Sequence, residues 1–145
     1  GRSWDRILTY PWQTPFGPKA MLINSYAGSG GDLFPWMFKK AGLGPLIGTR
    51  TWGGMVGIDG GSQLVDGGMY MAPAFGLYDG RTGEWIAENV GIDPDISVDL
   101  RPDLLAKGED PQLDRAVQYL LDELKKNPPK PVADPAYPRQ KVGGG

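Results

Sequence analysis

Residues 20–42 constrain this chain more than any other stretch. The apolar run Ala20-Met21-Leu22-Ile23 leads into Asn24-Ser25-Tyr26-Ala27-Gly28-Ser29-Gly30-Gly31-Asp32, and an amphipathic run, Leu33 to Ala41, leaves it ahead of Gly42. A short, continuously apolar run over residues 20–24 predicts a strand covered on both faces, as in a parallel sheet. The spacing that follows predicts a helix from about Ser29 to Ala41, stopped by Gly42, with Pro35 accommodated near its first turn. Leu46-Ile47-Gly48-Thr49-Arg50-Thr51 then predicts a second strand. Strand, turn, helix and strand in this order favour a parallel pair joined by a right-handed crossover. The expected fold class is therefore α/β.

The same junction lifts one hydroxyl, Ser29, onto a tight turn at a helix N-terminus. The glycines around it remove side chains that would block a substrate. The free N–H groups of the first helical turn can stabilise an oxyanion. This is the logic of a nucleophile at a strand–turn–helix junction, although the literal G-x-S-x-G pattern is absent because Ala27 stands two residues before Ser29. The plainer alternative is a Gly-rich connection whose serine caps a helix. A serine nucleophile also needs a base, and the chain has no histidine and no cysteine. Lys39 and Lys40 read as solvated residues at the C-terminal end of the helix, where cations suit the dipole. A base for Ser29 is thus expected to lie outside this sequence.

Composition narrows the remaining classes. At 145 residues the chain suits one ordinary domain with a real core. A formal net charge of −2 gives no broad nucleic-acid footprint, and no apolar run reaches the roughly 18 residues of a membrane span. Without cysteine there are no disulfides and no thiolate metal sites, which leaves the compartment open. The start, Gly1-Arg2-Ser3-Trp4-Asp5, has no signal-peptide pattern and reads as the interior of a longer protein. Residues 127–145, with prolines at 128, 129, 131, 135 and 138 and a final Gly143-Gly144-Gly145, read as an extended tail after a domain over residues 1–126.

Between these landmarks the reading is coarser. Residues 1–19 read as irregular or as a short strand. Residues 52–61 form the most glycine-dense loop. Asp66-Gly67 predicts a hairpin between Ser62–Val65 and Met69–Pro73. Phe75–Tyr78 and Trp85–Ala87 form a second expected strand pair. Asp110 as N-cap and Pro111 at the first position predict a helix from Pro111 to Lys126, whose apolar residues Leu113, Ala116, Val117, Leu120, Leu121 and Leu124 cover one sheet face. Phe34, Trp36 and Phe38 read as core, with Phe34 and Phe38 on one helix face. Arg50 reads as a structural ion pair. Trp52-Gly53-Gly54 either lines a substrate cleft or merely packs. Asp93-Pro94-Asp95 reads as a turn, since a calcium loop needs more oxygen ligands and no proline between them.

Three motifs, taken in order and spacing, carry a resemblance. Asn24-Ser25-Tyr26-Ala27-Gly28-Ser29-Gly30-Gly31-Asp32, then Gly42-Leu43-Gly44-Pro45-Leu46-Ile47-Gly48-Thr49-Arg50-Thr51-Trp52-Gly53-Gly54, then Glu88-Asn89-Val90-Gly91-Ile92-Asp93-Pro94-Asp95 resemble the tricorn-type serine peptidases, which belong with the C-terminal-processing peptidases. The match spans roughly residues 18–126. The resemblance implies a crotonase/Clp-like core of β-β-α units, incomplete in this chain. It implies Ser29 as nucleophile and the backbone N–H of Gly30 as an oxyanion-hole donor. Some tricorn proteins have an acidic residue where Gly30 stands, which a backbone donor does not require. It implies Glu88 as the carboxylate of a Ser-His-Ser-Glu tetrad, on the same rim as Ser29 with room for the serine–histidine pair between. That pair and the second oxyanion amide come earlier in the family's chain, so residues 1–126 correspond to the C-terminal part of the catalytic domain.

The implied function is a segment of a serine endopeptidase that hydrolyses peptides through an acyl-enzyme. Its implied partners are a peptide substrate and the missing N-terminal part, with no cofactor, metal, nucleic acid or membrane span. The resemblance allows a homo-oligomer and a cytoplasmic or cell-envelope (periplasmic) setting. Two competing readings are a non-catalytic peptide-binding module on the same fold and a crotonase-type acyl-CoA enzyme in which the serine turn is coincidental.

Overall fold

The computed structural model describes residues 16–130 together with residues 10, 133 and 136. The expectations for residues 1–9 and 11–15, and for most of the Pro/Gly-rich tail, fall outside the described residues. The elements in chain order are β1 (Met21–Ile23), α1 (Gly30–Lys40), β2 (Leu46–Gly48), β3 (Gly57–Gln63), β4 (Met69–Phe75), β5 (Ile96–Ser97), α2 (Pro102–Leu105) and α3 (Pro111–Lys126).

The sheet that organises the molecule is three-stranded and parallel, in the order β1-β2-β5. Its central strand carries the most deeply buried apolar residues, Leu46 and Ile47. That burial is why the strand reads as continuously apolar rather than alternating. Ile23, Phe38 and Leu46 form one buried cluster, and Met55, Ile86 and Ala87 form another, with Ile92 packed against both. The mixed parallel-sheet and helix content is that of an α/β protein.

Helix α3 has the bounds its sequence predicts. The Asp110 carboxylate accepts from the N–H groups of Gln112 and Leu113, and Pro111 opens the helix. Its first turns lie against β1 and β2, where Gln112 is buried and donates to the Val98 carbonyl at 2.9 Å. The expected apolar cover is only partly realised: Ala116 is buried, but Leu113, Val117, Leu121 and Leu124 remain exposed. The three sheet strands contain only eight residues, too short to cover a helix of 16.

Other details correct the sequence reading. Pro35 lies in the middle of α1 and is buried there, not in the first turn. Phe38 enters the core, whereas Phe34 is 60% exposed. Part of the glycine-dense loop is strand: β3 begins at Gly57 and pairs antiparallel with β4 through the expected Asp66-Gly67 turn. The second strand pair reduces to a single bridge between Tyr78 and Trp85, because Phe75 belongs to β4. Lys39 and Lys40 are not simply solvated: Lys39 pairs with Asp95 at 2.8 Å and Lys40 with Asp79 at 3.2 Å. Arg50 does form the expected ion pair, with Asp93 at 2.6 Å. Among the described residues no helix is long and apolar enough to cross a membrane.

Candidate functional site

The site is built where three loops meet above the parallel sheet. The first is the turn after β1. Ser29 occupies the N-cap position of α1 with φ 54° and ψ −109°, a conformation that non-glycine residues seldom adopt. Its carbonyl accepts from Asp32 and Leu33, which starts the helix on it. Its own N–H donates to the Gly54 carbonyl at 3.1 Å and to Asp32 Oδ2 at 3.0 Å. Gly30 opens α1, and among the described residues its N–H donates no hydrogen bond. That free N–H points from the positive end of an 11-residue helix.

The second loop follows β2. Trp52 lies across the side-chain-free faces of Gly28 and Gly54; a Cβ at either would stand 2.4 or 2.5 Å from the indole. The ring is 70% exposed, so these contacts orient it without burying it. The Trp52-Gly53-Gly54 segment packs on the serine turn and also lines the cleft beside it.

The third loop carries Glu88. Its Oε2 accepts from the N–H groups of Met55 and Val56, each at 2.7 Å. Glu88 is flanked by Ala87 (φ 57°) and Asn89 (φ 59°). Ser29, Ala87 and Asn89 are thus three non-glycine residues with positive φ, and all belong to these loops. Such strain persists only where surrounding bonds over-determine the backbone, and it clusters at functional sites.

Ser29 and Glu88 face one open cleft of about 710 Å³, with Trp52, Val56, Ile58 and Pro73 among its walls. The expected common rim is therefore present. A second, more apolar cleft of about 500 Å³ adjoins it along Val56, Pro73, Glu88 and Asn89. Neither Lys39 nor Lys40 lines the Ser29 cleft. Among the described residues no group of three or more acidic, histidine or cysteine side chains is arranged to hold a metal.

Sequence reasoning missed two polar residues beneath the site. Asp32 is fully buried, and its carboxylate accepts from Ser29 N–H, Thr51 Oγ1, Gly53 N–H and Gly54 N–H. Thr51 is buried as well, and its Oγ1 accepts in turn from Ile92 N–H at 2.8 Å. An aspartate in the first turn of a helix reads as a dipole complement. The signal that could have revealed more is the donor-rich run Thr51-Trp52-Gly53-Gly54, which holds no acceptor side chain able to take the Gly53 and Gly54 N–H groups.

Two carboxylates further out hold the frame. Burial raises the Asp95 carboxyl, but the Leu46 N–H and the Lys39 ammonium together more than reverse it, so the group lies below its ordinary range. The Arg81 N–H chiefly lowers Asp79, burial opposes it, and Lys40 and the Arg81 charge add to the lowering.

Comparison with known proteins places these loops in context. The family model "Peptidase family S41" matches residues 8–98. The Streptomyces coelicolor protein "Tricorn protease homolog 1" is 41% identical over 133 residues, which cover 88% of this chain and 12% of that protein. The Thermoplasma acidophilum "Tricorn protease" is 44% identical over 119 residues, covering 82% of this chain and 11% of that protein. The crystal structure of the tricorn protease superposes with a TM-score of 0.72 at 44% identity, over 80% of this chain and 11% of that one. The chain thus spans about an eighth or less of the length of these relatives.

Proposed function

We propose that this chain, which belongs to peptidase family S41, supplies the nucleophile-bearing part of a serine endopeptidase. Ser29 is the nucleophile, Gly30 N–H is one oxyanion-hole donor, and Glu88 is the carboxylate end of a Ser-His-Ser-Glu relay. The serine–histidine pair comes from a part of the same protein outside this sequence, within a crotonase/Clp-like core that this chain completes. Its domain portion runs to Lys126, where α3 ends. The substrate is a peptide, the class named by the family.

The observation that carries this reading is the geometry of Ser29. It has positive φ at the N-cap of α1, next to a Gly30 N–H unengaged among the described residues, and on one cleft with Glu88. In the proposed step, Ser29 Oγ adds to the scissile carbonyl carbon as its proton passes to the histidine. The carbonyl oxygen becomes an oxyanion facing Gly30 N–H. The C–N bond then breaks, the amine leaves with that proton, and water hydrolyses the ester. Glu88 Oε2 is anchored by Met55 and Val56, which gives the relay a fixed end.

The test compares this chain and the full-length protein on the same fluorogenic peptides, each with Ser29→Ala. The full-length protein is expected to lose activity on the order of 10⁶-fold with Ser29→Ala. The chain alone is expected to show negligible hydrolysis, because it has no histidine. Full-length activity untouched by Ser29→Ala would transfer support to a non-catalytic peptide-binding module. Robust hydrolysis by the chain alone would mean that its base is a residue other than histidine.

A further inference from the structure

We infer that Asp32, acting together with Thr51, is the positioning residue of this site. One buried carboxylate fixes the Ser29 turn to the loop after β2 and, through the Thr51 hydroxyl, to the loop that carries Glu88. The inference rests on the reading of Ser29 as nucleophile, and its test is arranged to separate the two.

The argument begins with donors and acceptors. Every partner of Asp32 is a donor: Ser29 N–H at 3.0 Å and Gly54 N–H at 3.0 Å on Oδ2, Gly53 N–H at 2.8 Å and the Thr51 hydroxyl on Oδ1. An ionised carboxylate is acceptor-only and offers about four lone-pair sites. Asparagine has the same shape but in either orientation would turn an NH2 group toward at least one N–H donor. The buried negative charge is compensated by charge-assisted bonds and by its place in the first turn of α1.

Thr51 extends this arrangement in one direction. Its single proton goes to Asp32, so its oxygen is left to accept from Ile92 N–H. Thr51 N–H donates to the Ile92 carbonyl at 3.1 Å, and Asn89 N–H donates to the Gly53 carbonyl at 2.8 Å. The 88–92 loop is thus fastened to the same segment, residues 51–54, that Asp32 fastens to Ser29.

A purely scaffolding carboxylate would have partners spread through the core. Those of Asp32 lie on or beside the residues that line the Ser29 cleft. Holding the Ser29 N–H also determines which donor remains: Gly30 N–H is the next one along the chain, and it is uncommitted among the described residues. Loss of this hold would let the nucleophile and its oxyanion donor drift from Glu88. A misplacement of about 1 Å costs roughly 100-fold in rate.

The test uses the full-length protein that carries this chain. A fluorophosphonate transfers its phosphonyl group to a serine Oγ with loss of fluoride, and a fluorogenic peptide reports kcat and KM. Wild type must label at Ser29 and Ser29→Ala must not; failure here overturns the nucleophile assignment itself. With that satisfied, Thr51→Val removes the hydroxyl at nearly constant volume, and Thr51→Ser restores it. Rates are normalised to sites titrated at the labelling end point, so a smaller folded fraction does not register. Thr51→Val is expected to lower kcat and the labelling rate about 100-fold, with KM within about threefold. Thr51→Ser is expected to recover both to within about threefold of wild type, and Asp32→Asn to lose at least as much as Thr51→Val. A Thr51→Val protein that labels at the wild-type rate overturns the inference, as does a Thr51→Ser protein no better than Thr51→Val. Thr51→Ala replaces Thr51→Val if the latter does not fold. Failure of both to fold beside an active Thr51→Ser would make the hydroxyl structural and overturn it as well.

Discussion

The serine loops and the β3–β4 hairpin are neighbours along the chain, yet they are held by opposite means. Around Ser29 the chain is rich in glycine, and its backbone donors end on carboxylates: Ser29, Gly53 and Gly54 on Asp32, Met55 and Val56 on Glu88. The serine loops also bury apolar residues, Met55 and Ala87 among them, whereas the hairpin leaves most of its own in water. Ile58 is 57% exposed, Met69 74% and Met71 73%. What sets the serine loops apart is that buried or half-buried carboxylates collect their backbone donors. A buried carboxylate with several N–H partners fixes backbone directly, whereas an apolar side chain stabilises only what it covers.

The sharpest way to break this comparison is a matched pair of glycine substitutions. Gly91 has φ 70°, and a Cβ there would stand 2.2 Å from the Thr51 carbonyl oxygen. Gly91→Ala is expected to destabilise the chain by about 4 kcal/mol, from backbone strain and overpacking together. Gly60, in β3, has nothing within 4 Å of its would-be Cβ. Gly60→Ala is expected to change stability by less than about 0.5 kcal/mol. Urea unfolding of both variants measures the gap, and equal costs would erase the distinction between the regions.

A smaller effect comes from acid. Asp95 ties β2 to α1 by accepting from Leu46 N–H and pairing with Lys39, and its folded carboxyl lies below the ordinary value. The group therefore stabilises fully above the ordinary aspartate pKa of about 3.9. That contribution drains away as pH falls through the lower folded value. Wild type should exceed Asp95→Asn in stability at pH 7, and the two should converge as pH is taken well below about 4. A difference that persists unchanged at low pH would remove the charge from the explanation.

The smallest effect belongs to the hairpin. Met71→Ser replaces a residue that is already mostly in water, so unfolding free energy should move by less than about 0.5 kcal/mol, with no pH-dependent gap. A larger loss would show that the hairpin is held more firmly than its exposure indicates.

The same contrast explains what could be read from residues alone. Local chemistry was legible. Asp110-Pro111 gave the start of α3, Asp66-Gly67 gave the hairpin turn, and the apolar run before Ser29 gave β1. Features fixed by distant partners were not. β5 is two residues long and exists because Ile96 and Ser97 find β2, so no period could reveal it. β3 contains three glycines, which read as loop until β4 pairs with them. Phe34 and Phe38 share a helix face in sequence, but only one meets the core. Of the site, Ser29 and Glu88 were visible through their motifs, while Asp32 and Thr51 were hidden because their partners lie up to 41 residues away.

The hydrogen bonds around Asp32 also span very different lengths of chain. Asp32 reaches Ser29 across three residues and Thr51, Gly53 and Gly54 across 19 to 22. Glu88 reaches Met55 and Val56 across 33 and 32, and Thr51 reaches Ile92 across 41. Each doubling of a loop adds about 0.6 kcal/mol of closure entropy. Closure entropy therefore favours contact of the serine turn with the 51–54 segment over closure of the Glu88 loop, by less than about 0.6 kcal/mol. A single aspartate in the first turn of α1 thus takes part in the shortest of these closures and, through the Thr51 hydroxyl, touches the longest.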